Sequence, residues 1–144
     1  MKRLLLAVAL TTVTGAALAA DAPALPVTKA PAGAEVYIIS PQDGATVPET
    51  FVVRFGLKGM GVAPAGVAHD KTGHHHLLVD VKELPPAGQP IANDKQHMHF
   101  GGGQTETTLR LPPGTHTLQL DLGDANHIPF DPPVVSKVIT VHVK

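Results

Sequence analysis

The stretch TFVVRFGL, residues Thr50 to Leu57, decides the fold. Phe51, Val53, Phe55 and Leu57 recur with period two, which places their side chains on one face of a pleated strand. Upstream lies EVYIIS, closed by the turn-rich PQDGATVP. Downstream, the long loop KGMGVAPAGVAHDKTG leads into HHHLLVDV, which KELPPAGQP closes. A short pattern around DKQHMHF ends in Gly101-Gly102-Gly103, and TETTLRL follows before PPG. In THTLQLDL, residues His116, Leu118, Leu120 and Leu122 share a face. After GDANHIPFDPP, the last pattern is VVSKVITVHV, with Val135, Ile139, Val141 and Val143 expected inward. No helical period or internal repeat emerges. Strand patterns punctuated by Gly and Pro predict an all-β chain: an immunoglobulin-like antiparallel β-sandwich of about seven strands. A partly open barrel is the nearest alternative.

The N-terminus reads differently. MKRLLLAVALTTVTGAALAA has two basic residues, a short apolar run and small residues, the layout of a secretory signal peptide over residues 1–19. Residues 20–34, rich in Ala and Pro, read as a flexible leader. Residues 35–144 then form a single β-sandwich domain. The apolar run is too short and too broken for a good span, so no membrane insertion is expected after cleavage. The expected location is the periplasm or the exterior.

Composition narrows the chemistry. Without Lys2 and Arg3, nine basic residues face twelve acidic ones, a net charge of about −3. A weakly acidic chain with no basic stripe argues against a nucleic-acid partner. With no cysteine, the fold has no disulfide, no thiolate metal site and no thiol nucleophile. Nine histidines stand out against that background.

Six of them fall in three short segments: His74, His75 and His76; His97 and His99; and His127. Neutral imidazole is the commonest transition-metal ligand, and a site gathers three or four donors from separate stretches. In a sandwich with strands labelled A to G, the B–C, D–E and F–G loops share one end. All three histidine segments lie at those loops, so topology brings them together. Strand alternation puts His74 and His76 on one face and His75 on the other, beside Leu77 and Val79. His97 and His99, two apart, face the same way. The donor set implies a divalent transition metal, copper or zinc, as cofactor and the metal ion as partner. Two alternatives stay open: a metal-dependent enzyme with a three-histidine site, and a metal-free ligand-binding or structural module.

The remaining candidates have lesser roles. His116 reads as structural, with its polar tip bonding nearby backbone, and Asp80 as a turn residue. His142 reads as solvated, and His69 lacks a partner at chelating spacing. Gly101 to Gly103 lack the helix and Lys-Ser/Thr pair of a phosphate loop, so they read as glycines that let backbone pass close to the histidines. Gln104, Glu106, Asp124 and Asn126 are candidates for orienting imidazole N–H groups.

GHHHLLVD, HMHFGGGQTE and PPGTHTLQLDLGDANHIPFDPPV, preceded by VYIISPQDGATV and FGLKGMGVAPAG, form a set spanning roughly Ala34 to Lys144. On these motifs the chain resembles an uncharacterised family of small exported bacterial proteins defined only as a domain of unknown function. The resemblance implies a single exported domain with the six histidines as signature positions. It implies no activity.

Overall fold

Alternating apolar residues make the Thr50–Lys58 strand the centre of a small sheet, and that sheet forms one layer of the molecule. The computed structural model describes residues 25–144. The expected signal peptide lies outside the described residues. In chain order the strands are β1 (Glu35–Ser40), β2 (Ala45–Val47), β3 (Thr50–Lys58), β4 (Gly61–Val62), β5 (Thr72–Val79), β6 (His97–His99), β7 (Glu106–Arg110), β8 (Gly114–Gly123) and β9 (Ile139–Val143). Every regular element among the described residues is a strand, so no helix there is long and apolar enough to cross a membrane.

Two sheets pack as a sandwich. One has the order β1-β3-β7, the other β2-β9-β8-β5-β4, with β6 also paired to β5. The seven expected strands correspond to β1, β3, β5, β6, β7, β8 and β9, while the short β2 and β4 add parallel pairings to β9 and β5. Phe51, Val53 and Phe55 of β3 meet Leu77 and Val79 of β5 and Leu118, Leu120 and Leu122 of β8 in the main core. Burying each such side chain contributes about 1.5–3 kcal/mol, so this layer carries the fold without a disulfide.

One strand expectation needs correction. Val134, not Val135, belongs to the core, and β9 starts only at Ile139. Ser136 explains the shift: its Oγ accepts the Leu120 amide at 2.8 Å, replacing a backbone carbonyl in the ladder. A side chain standing in for backbone interrupts the pairing, and the inward alternation slips by one.

Residues 25–34, read from composition as part of a flexible leader, lie against the domain. Ala30 and Thr28 exchange backbone hydrogen bonds with Asp131, and the Leu25 amide donates to the Gly88 carbonyl. The Lys29 ammonium also pairs with the Asp131 carboxylate.

Candidate metal centre

Strand β5 sits between β8 on one side and β4 and β6 on the other, so its backbone is paired along both edges. Its burial is continuous from Gly73 to Val79 because both faces are covered. His75, Leu77 and Val79 point into the sandwich. His74, His76 and Leu78 point to the outer face, where the segments after β5 and β8 cover them. In register, His76 lies beside His99 of β6 and opposite Asp121 of β8. His127, in the turn after β8, closes the group from above.

The rings of His74, His76, His99 and His127 converge. One nitrogen from each lies within 4.8 Å of all the others. His74 is fully buried, and its ring centroid lies 4.8, 5.0 and 5.1 Å from those of His76, His99 and His127. It forms a floor under a triangle made by the other three. Its Nε2 is 3.1 Å from Nδ1 of His127. A tetrahedral ion with bonds of about 2.0–2.1 Å holds its nitrogens about 3.3 Å apart. One pair already has about that spacing, and the remaining nitrogens lie within 4.8 Å of one another.

Burial first, and neighbouring imidazoles second, push the His74 imidazole down to about 4 and that of His76 to about 3. His99 is lowered for the same two reasons, burial first. The His74 and His76 rings are thus neutral at pH 7, with lone pairs free to coordinate. Buried nitrogens of His74, His76 and His99 have no hydrogen-bond partner among the described residues. Each orphaned group costs about 1–3 kcal/mol, which a bound ion would offset.

Backbone geometry seats the rings. A Cβ on Gly101 would lie 2.3 Å from Cε1 of His99, and one on Gly123 would lie 2.7 Å from Cε1 of His76. The reading that Gly101 lets the chain pass close to a histidine fits this contact. Gly123 was not recognised from sequence, because it reads only as the end of a strand. His127 adopts φ 65, a left-handed conformation held by Asp124. Oδ1 of Asp124 accepts the amides of Asn126 and Ile128 at 2.8 and 3.0 Å, and Oδ2 accepts the Thr28 hydroxyl at 2.6 Å.

The other expected residues lie elsewhere. His75 faces the core, its ring 5.2 Å from that of Phe55, with neither nitrogen hydrogen-bonded. Burial lowers it to about 4; the Gln104 backbone opposes that shift without completing a hydrogen bond. His97 shares the outer face but pairs with Leu78, one strand repeat beyond His76, and its Nδ1 is 3.0 Å from Asp94. Parity was readable for His97; register was not. Gln104 accepts the Gly102 amide and Glu106 pairs with Arg54, so neither orients an imidazole. His116 bonds the Pro112 carbonyl at 3.0 Å and Asp80 at 2.7 Å, as its structural reading requires.

Asp121 was also missed. It is buried opposite His76, both carboxylate oxygens are unpartnered, and burial pushes its carboxyl up to about 7. In THTLQLDL it reads as an ordinary solvent-side residue, because sequence does not show that loops cover this face.

The outcome is an all-β sandwich with a cluster of four imidazoles, two buried and two half-buried, on the outer face of one sheet, a group that could hold a metal ion. Residues 53–144 match the family described as a domain of unknown function (DUF4399), and the chain belongs to it. No curated protein and no solved structure matches this chain.

Proposed function

We propose that this chain is an exported protein that binds one divalent transition metal through His74, His76, His99 and His127. The carrying observation is the set of orphaned, buried nitrogens on rings that face one another. A purely structural histidine network bonds carbonyls or carboxylates, as His116 does here. Among the described residues, the one hydrogen bond that the four rings make is between His74 and His127. An all-imidazole set without thiolate suits Cu(II) or Zn(II), and Cu(II) binds more tightly at such nitrogen sites. The role we assign is copper handling or storage in the periplasm, with export resting on the reading of residues 1–19.

Elemental analysis of protein purified without a metal-affinity column tests this. One equivalent of copper or zinc is expected, lost in His74→Ala and His99→Ala and kept in His97→Ala. A wild-type chain that takes up neither metal would refute the proposal, as would full metal content in the double variant of His74 and His99.

A further inference from the structure

Over the cluster lies a cavity of 220 Å³ lined by His76, Pro90, Ile91, Asn93, His99 and His127. Its walls include three of the four clustered rings, while His74 lies beneath them. An ion held by the four histidines therefore has one side turned toward this space. Besides the imidazoles, the lining is apolar apart from a single carboxamide, that of Asn93. The volume is below the roughly 300–1,000 Å³ of pockets for drug-sized ligands, and above the roughly 150 Å³ of a cavity that holds benzene.

Charge selects the kind of ligand. Neutral imidazoles leave both charges of a divalent ion uncancelled, and the ion's own charge dominates such a site. Asp124 is close enough to act on His74 electrostatically, but its oxygens already accept two amides and a hydroxyl, and Asp121, buried opposite His76, is not among the residues that line the cavity. Among the described residues, no lysine or arginine lines the cavity. Net positive charge thus faces a small, mostly apolar chamber with one hydrogen-bonding amide.

We infer that this cavity admits a small monoanion that coordinates the metal directly as a fifth ligand beside the four imidazoles, with the Asn93 amide as its hydrogen-bond donor. The inference rests on the metal reading above. It extends that reading from a closed store to a centre that takes an exogenous ligand.

Azide, a three-atom monoanion, is the probe, and copper is the reporter ion because it displaces weaker-binding metals at nitrogen sites. Copper content is measured first, by elemental analysis of the Cu(II)-loaded chain. Azide is then titrated while an azide-to-copper charge-transfer band is followed. The expected result is a saturable band at one azide per copper. Asn93→Leu should weaken azide about tenfold, the value of one good hydrogen bond to a charged group. Ile91→Trp should fill the chamber and abolish the band, and copper content should stay at one in both variants. A copper-loaded chain with no azide response overturns the inference and leaves the metal reading standing. So does a response of equal affinity in wild type and Asn93→Leu. Failure to load copper is seen before azide is added; it overturns this inference, and it removes the metal reading as well when zinc also fails to load.

Discussion

His74, His75 and His76 are consecutive and chemically identical, yet a single backbone step assigns them to different environments. His74 and His76 face other imidazoles, whereas His75 faces Phe55 in the hydrocarbon core. That division was legible, because strand parity follows directly from sequence. The fate of His97 was not, because it depends on which residue of β5 stands beside it. Leu78 stands there, and Asp94 takes the ring. His75 carries a buried N–H and a buried lone pair with no partner. Replacing it with leucine, of similar volume, removes that cost. His75→Leu is expected to raise unfolding stability by about 1–3 kcal/mol in denaturant titrations, with metal content unchanged. Destabilisation, or loss of the metal, would show that His75 serves the site after all.

The strands were largely readable, since β3, β5, β8 and β9 each carry runs whose alternation or apolar content survives in the structure. The connections that complete the site were not. The segment between β5 and β6 has no hydrophobic period, yet it supplies the Pro90, Ile91 and Asn93 walls of the cavity. The turn after β8 was flagged for Asp124, but for a different task. Its carboxylate bonds backbone amides and the Thr28 hydroxyl, which shapes the turn that carries His127. Asp124→Ala releases those three donors together. A 10- to 100-fold loss of metal affinity is expected, of the size seen when residues supporting a metal ligand are removed. Asp124→Asn, which keeps an acceptor oxygen for the amides, should recover part of it. Competition titration with a chelator measures both. Unchanged affinity in a folded Asp124→Ala chain would show that the turn holds His127 without this carboxylate.

Across the whole molecule, three buried neutral histidines set the response to acid. From the ordinary value of 6.5 downward, the unfolded chain takes up protons on His74, His75 and His76, while the folded chain refuses them until about 4, 4 and 3. Stability therefore falls as pH drops from 6.5 toward 4, by up to about 1.4 kcal/mol per pH unit for each ring. Asp121 acts with the opposite sign: between 3.8 and about 7 the folded chain keeps a proton that the unfolded chain has lost. One group against three leaves the net slope toward acid instability. At the alkaline side, the hydrogen bond to Asp80 raises His116, so that pair's contribution is lost as pH climbs through the raised value. Metal-free protein should thus melt highest near neutral pH and lose stability steeply between pH 6 and 4; a flat profile would contradict the burial of these rings. The central claim, that four distant histidines share one ion, is tested most directly by anomalous diffraction from crystals of the copper-loaded chain. A single peak about 2.0–2.1 Å from one nitrogen each of His74, His76, His99 and His127 is predicted. A peak at His69 or His97 instead, or none between the four rings, would contradict it.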